Sequence, residues 1–166
     1  PVLVNFCRRE QGLIVAKGNP KGISSISDLG QAGIKIANRP DGTGTRLLLD
    51  RELEKAGLKG TQIEGYKQEF RSHIDVAMEV LSGRVDATLA IKPVAKLLGL
   101  DFVPLRWERY DFLISKEHFF EQGIQFFIGL LHGPQFREIA KKLDGYDLSL
   151  CGKMVFPQQS KLNKEE

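Results

Sequence analysis

The stretch Asn38-Arg39-Pro40-Asp41-Gly42-Thr43-Gly44-Thr45-Arg46 concentrates residue types that can hold a small anion. It follows an apolar, strand-like run, Ile34 to Ala37, and opens a segment of helical periodicity. Gly42 and Gly44 let the backbone turn tightly and come close to a ligand. The first amides of a helix have no intrahelical partner, and the helix N-terminus favours negative charge. Thr43 and Thr45 add hydroxyl donors. Arg46 falls in the first helical turn, where a cation opposes the helix dipole by about 0.3–1 kcal/mol. A bound anion would remove that conflict through a charge-assisted contact. The competing reading pairs Arg46 with Asp50 one turn along, an exposed ion pair worth about 0.3–0.5 kcal/mol. A Walker loop is excluded because Thr45-Arg46 follows the second glycine, and a dinucleotide fingerprint because Leu47 stands where its third glycine would be.

His73, near the start of a later helix, together with Tyr66 and Glu69, is placed to line a pocket opposite this turn. The alternative is a partly exposed histidine and a structural tyrosine. His118 and His132 flank one helix and look incidental. Trp107, Arg109 and Tyr110 lie between two strands, where the chain is expected to cross between lobes; aromatic strand residues are usually core. Phe119, Phe120, Phe126, Phe127 and Leu130 form an apolar helix surface, by default a packing surface and, if uncovered, a route to a homodimer. Cys7 and Cys151 show no metal-ligand spacing and read as free thiols of a reducing compartment, so the expected setting is cytoplasmic and no metal or cofactor is expected. No nucleophile–base–orienter set and no acid/base carboxylate pair can be assembled. Binding is therefore favoured over catalysis. The enzyme-class rival, a transferase using the turn for phosphate, requires a catalytic base near Arg46.

These residues must be positioned by a chain of 166 residues, 42% hydrophobic and 27% charged, with a net charge of +3. That suits one globular domain. The lysines are scattered without a basic run, which argues against direct nucleic-acid binding. No apolar run reaches the ~18 residues of a membrane helix. Strands are expected at Val2–Phe6, Gly12–Ala16, Ile34–Ala37, Val85–Ile91, Phe102–Leu105 and Tyr110–Ile114. Helices are expected at Ser25–Leu29, Thr45–Ala56, Ser72–Ser82, Pro93–Leu98, His118–Leu131 and Pro134–Leu143. Gly57 stands where a helix-ending C′ glycine belongs. This alternation predicts an α/β fold with a mainly parallel sheet. Residue 1 is a proline followed at once by a strand, the expectation for a piece of a longer chain.

The order Arg9-Glu10-Gln11-Gly12-Leu13-Ile14-Val15, Gly18-Asn19-Pro20-Lys21-Gly22-Ile23, Asn38-Arg39, Gly42-Thr43-Gly44-Thr45-Arg46, Gly65-Tyr66, His73, Gly83-Arg84-Val85-Asp86-Ala87 and Glu108-Arg109-Tyr110-Asp111 is distinctive. It resembles the periplasmic-binding-protein-like domain fused to the C-terminus of some MoeA-type molybdopterin biosynthesis proteins, a domain also found joined to helix-turn-helix regulators. The resemblance runs from Arg9 to about Gly152. It implies a type II binding-protein fold of two α/β lobes, with one complete lobe over 14–105 and hinge strands and C-terminal helices of a truncated second lobe in 1–13 and 106–152; the polar composition of the end of the chain separately predicts a disordered tail over 153–166. It implies a binding or sensing domain for a molybdate-like oxyanion, molybdate or tungstate, in molybdenum cofactor biosynthesis. The fragment itself would be no enzyme, and any molybdopterin molybdenumtransferase activity would reside in an upstream domain of the same polypeptide. The rival within the resemblance is the effector-binding domain of a transcription regulator. The resulting ligand-site set is Asn38, Arg39, Gly42, Thr43, Gly44, Thr45, Arg46, Tyr66 and His73. Two departures stand out: Thr43 replaces the family's usual serine, and Thr88-Leu89-Ala90 replaces its usual Gly-Leu-Gly.

Overall fold

A computed structural model describes residues 1–155. The chain divides into two compact units, Arg9–Glu108 with Leu143–Tyr146, and Pro1–Arg8 with Arg109–Lys142 and the segment from Asp147 on. Strands β1 (Val2–Val15), β2 (Ile36–Ala37), β3 (Ala87–Ile91) and β4 (Asp101–Ile114) lie in the order β2-β3-β1-β4, and β5 (Tyr146–Asp147) and β6 (Met154–Val155) also pair with β1. The two strands expected at Val2–Phe6 and Gly12–Ala16 are one 14-residue strand, β1. The two expected at Phe102–Leu105 and Tyr110–Ile114 are one as well, β4. The residues between each pair, 7–11 and 106–109, continue the strand, and both strands run from one unit into the other.

The sheet is mixed. β2 runs parallel to β3, with Ile36 opposite Ala87. β1 runs antiparallel to β3, with Leu13 opposite Leu89, and antiparallel to β6, with Leu3 opposite Val155. The mainly parallel sheet expected from the alternation is thus mixed: β2 and β3, joined by a strand–helix–strand crossover, are parallel, while β1 meets β3 and β6 antiparallel. Met154–Val155, expected to open the polar tail, form β6; the tail from 156 on lies outside the described residues.

In the larger unit the sheet is buried on both faces, and strand alternation assigns each residue to one of them. Leu13, Val15, Ile36, Ala87 and Leu89 face Leu29, from the turn of 3-10 helix at Ile26–Gly30, and Leu49 and Leu53 of α1 (Gly44–Lys55). Ile14, Ala37 and Ala90 face Val76, Ala77 and Val80 of α2 (His73–Leu81) and Val94 of α3 (Lys92–Leu97). Thr88 and Ala90 are fully interior, and the Thr88 hydroxyl donates to the Ala37 carbonyl at 2.8 Å. At Gly12 an added Cβ would stand 2.2 Å from the Val103 carbonyl oxygen, so this glycine permits β1 and β4 to meet.

The smaller unit carries α4 (Gln122–His132) and α5 (Pro134–Ala140). Phe6, Phe112, Phe127 and Phe136 pack in a ring cluster with centroids 5.1–6.3 Å apart. Asn5 donates to the Asp111 carboxylate at 2.8 Å, and Arg8 pairs with Asp147 at 2.8 Å. Phe120, Phe126 and Leu130, of the expected apolar helix surface, are exposed, as is Ile139 of α5.

Candidate functional site

The glycine turn leads from β2 into α1. Gly42 has φ +80°, the left-handed region a side chain resists. Thr43 caps α1: its hydroxyl accepts from the Arg46 amide at 3.3 Å and donates to the Pro40 carbonyl at 2.9 Å. Asn38 is buried and fixes the start of the turn, donating through Nδ2 to the Tyr66 carbonyl at 3.0 Å while its Oδ1 accepts from the Arg39 amide at 2.9 Å. Thr45 is buried behind the first turn of the helix.

Arg46 is turned inward. Nε donates to Asp50 at 3.2 Å, and Nη1 donates to Glu69 at 3.0 Å and to the Arg39 carbonyl at 3.1 Å. Its guanidinium lies 4.2 Å over the Tyr66 ring, a cation–π contact. The Tyr66 hydroxyl donates to Asp50 at 2.6 Å. Burial opposes the Arg46 charge, but Tyr66, Asp50 and Glu69 together hold its pKa above the ordinary arginine value. The ion pair with Asp50, weighed against an anion site from sequence, is therefore formed, inside a larger knot of Arg46, Tyr66, Asp50 and Glu69. A shallow depression lined by Gly60, Ile63, Tyr66 and Lys67 lies along the Tyr66 segment and includes neither Arg39 nor His73.

Arg39 and His73 are differently placed. Nε and Nη1 of Arg39 are buried without a hydrogen-bond partner, and so is Nδ1 of His73. His73 is the first residue of α2, set there by a capping box in which Ser72 Oγ accepts from the Asp75 amide and the Asp75 carboxylate accepts from the Ser72 amide, each at 3.0 Å. Burial lowers the His73 pKa to about 4, with the charges of Arg39 and Arg9 adding to the effect. Burial also lowers the Arg39 pKa, again with Arg9 contributing and Asp75 opposing. The site is thus electropositive around a partly enclosed guanidinium whose buried Nε and Nη1 meet no acceptor.

Two residues complete the cluster. Arg9, on β1, donates through Nε to Glu108, on β4, at 2.7 Å. The other oxygen of Glu108 stands 3.3 Å from where a Cβ would be on Gly44, beside the first residue of α1. Residue spacing carried no sign of this pair, because its members lie 99 positions apart and meet only through the adjacency of β1 and β4. Among the described residues no group of three His, Cys, Asp or Glu is arranged to hold a metal. No helix is long and apolar enough to cross a membrane.

Residues 1–132 match the model of the PBP superfamily domain. Among curated proteins the chain is similar to the uncharacterized protein YvgK of Bacillus subtilis (strain 168), 35% identical over 92% of this chain and 49% of YvgK. It is also similar to an uncharacterized protein in the ferredoxin 2Fe-2S gene 5′ region of Clostridium pasteurianum, 32% identical over 66% of this chain and 97% of that one. The chain thus spans about half the length of YvgK. Among solved structures it resembles an ancestral amino acid-binding protein, AncCDT-1, a precursor of cyclohexadienyl dehydratase (TM-score 0.61, 22% identity, 86% of this chain and 61% of that one). It also resembles ArtJ, the arginine-, lysine-, histidine-binding protein of Geobacillus stearothermophilus (TM-score 0.60, 18% identity, 90% and 64%). At these identities the likeness is one of fold, a mixed α/β type II periplasmic-binding-protein-like architecture with an open sheet. The family model covers residues 1–132, most of the chain: this chain belongs to the PBP superfamily.

Proposed function

We propose that this ligand-binding domain holds a small anion against Arg39, with His73 and the N-terminus of α1 completing the site. The observation that carries the reading is the Arg39 guanidinium, whose Nε and Nη1 are buried with no acceptor. Leaving a buried donor unpaired costs about 1–3 kcal/mol, and more when it is charged. A fold that keeps such a group beside a second cation, Arg9, gains most when an anion arrives. In this reading Arg46, Tyr66 and Asn38 do not touch the ligand. They lock the turn so that Arg39, Gly42, Thr43, Gly44 and Thr45 are preorganised for it, as the hydrogen bonds around Asn38 and Arg46 support. AncCDT-1 and ArtJ are named as binders of amino acids, which carry a carboxylate, and that chemistry fits the same site.

The resemblance to the MoeA-fused domain adds molybdate and tungstate as particular candidates. It also adds the setting of this proposal: a longer cytoplasmic polypeptide in molybdenum cofactor assembly whose catalytic part lies outside these residues. The test is titration of the folded protein, followed by amide NMR shifts, with acetate, glutamate, methanesulfonate, sulfate, phosphate, molybdate and tungstate. At least one should bind and shift the amides of Gly42 to Arg46, and Arg39→Met should weaken it at least tenfold. No binding by any of them, or binding indifferent to Arg39→Met, would overturn the proposal.

A further inference from the structure

We infer that Glu108 sets the charge of the ligand, making the site selective for a monoanionic head group over a dianionic one. The inference rests on the anion site proposed above and narrows its ligand class to monoanionic groups such as carboxylates and sulfonates, against the dianions molybdate and tungstate that the resemblance brings in. Three basic residues surround the site, but their charges are not equally available. Arg9 is matched by Glu108 at 2.7 Å, with both side chains mostly buried (19% and 26% exposed). His73 adds no charge near neutrality, because burial and the two arginines hold its pKa at about 4. Among the described residues of this cluster, Arg39 is the cation whose buried Nε and Nη1 have no acceptor.

The position of Glu108 gives this balance a consequence. One carboxylate oxygen binds Arg9 while the other reaches to 3.3 Å from the Cβ position of Gly44, at the first residue of α1. The acid and the helix start thus lie side by side. A ligand oxygen drawn to the amides of α1 therefore approaches a fixed negative charge. One ligand charge is answered by Arg39. A second charge finds no open cation and meets the Glu108 carboxylate at short range, where water screens poorly. The same arrangement tolerates a ligand that is neutral or positive next to its single acidic group.

The probes are methanesulfonate and sulfate, which share a tetrahedral sulfur and at least three oxygens but differ by one charge. Each is titrated into the folded protein at neutral pH and constant ionic strength, with amide NMR shifts as the readout. The wild type should bind methanesulfonate at least tenfold more tightly than sulfate. Glu108→Gln should raise sulfate affinity about tenfold and change methanesulfonate less than about threefold. Arg9→Gln, which keeps the acid and removes its partner, should weaken sulfate more than methanesulfonate. It tests the idea independently should Glu108→Gln fail to fold. If the wild type prefers sulfate, or if these substitutions move both probes alike, the charge filter is wrong while the anion site stands. If neither probe nor any other anion binds, the site itself fails and the filter with it.

Discussion

Arg39→Met separates a ligand contact from a structural one, because the two roles predict opposite changes in stability. Nε and Nη1 of Arg39 are buried and unpartnered. Each such donor costs about 1–3 kcal/mol of lost hydration, at the lower end for a side chain that is only partly enclosed. Burial and the nearby Arg9 both work against the charge. Methionine has similar length, keeps the apolar packing of the stem, and carries no donor, so its own repacking cost stays below about 1.5 kcal/mol. The net expectation is a ligand-free domain that is as stable as wild type or more stable by about 1 kcal/mol, and that no longer binds the anion. Urea unfolding measures both halves. Without ligand, the midpoint of Arg39→Met should equal or exceed that of wild type. With a binding anion present, the wild-type midpoint should rise by mass action and the variant's should not move. Loss of about 1 kcal/mol or more without ligand, or an undiminished midpoint rise with it, would refute the assignment.

Arg46→Met is expected to do the reverse. It breaks contacts to Asp50, Glu69 and the Arg39 carbonyl and a stack on Tyr66, from a side chain only 9% exposed. With the two ion pairs discounted because their acids are 35% and 40% exposed, the loss should be about 2–4 kcal/mol by urea unfolding, and a loss under about 1 kcal/mol would contradict the knot. For His73 the folded pKa of about 4 lies below the ordinary imidazole value of 6.5, so the native state resists a proton that the unfolded chain accepts. Stability contributed by neutral His73 is present above about pH 6.5 and is lost as pH falls toward 4, by up to ~3 kcal/mol. His73→Gln should flatten that part of the wild-type pH profile, and parallel profiles would argue against a buried neutral imidazole. Gly65→Ala should cost more than about 3 kcal/mol in thermal or urea unfolding, because Gly65 has φ +83° and the new methyl would meet the Ile36 carbonyl oxygen at 2.0 Å. A mild effect would mean that β2 and the Tyr66 segment are free to part.

Local features of the chain were legible in the sequence because their causes are local. The helix from Thr45 to Ala56 is α1 displaced by one residue, since its apolar spacing and its C′ glycine Gly57 lie within one short segment. The same holds for α2, whose capping residues Ser72 and Asp75 are three apart. The glycine turn was legible as a strand-to-helix corner, and the ordered motifs led to the family. Strand pairing was not. The sequence reads β1 and β4 as two strands each because charged residues in mid-strand interrupt the apolar runs, and only their ladder partners show the strand to be continuous. The antiparallel pairing of β1 with β3 depends on residues about 80 positions away.

The decisive ambiguity concerned which arginine is open to a ligand. Both Arg39 and Arg46 belong to the same nine-residue turn, and helix-dipole reasoning drew attention to Arg46. The fold brings Glu69 and Tyr66 onto Arg46 and satisfies it, while nothing beside Arg39 accepts its buried donors. Sequence by itself determines residue types, periodicity and caps, because these act over one or two turns of chain. Only the tertiary structure decides which charges are neutralised, because a counter-ion such as Glu69 for Arg46 or Glu108 for Arg9 arrives from a distant segment, and the cost of an unpaired charge depends on the burial that packing creates.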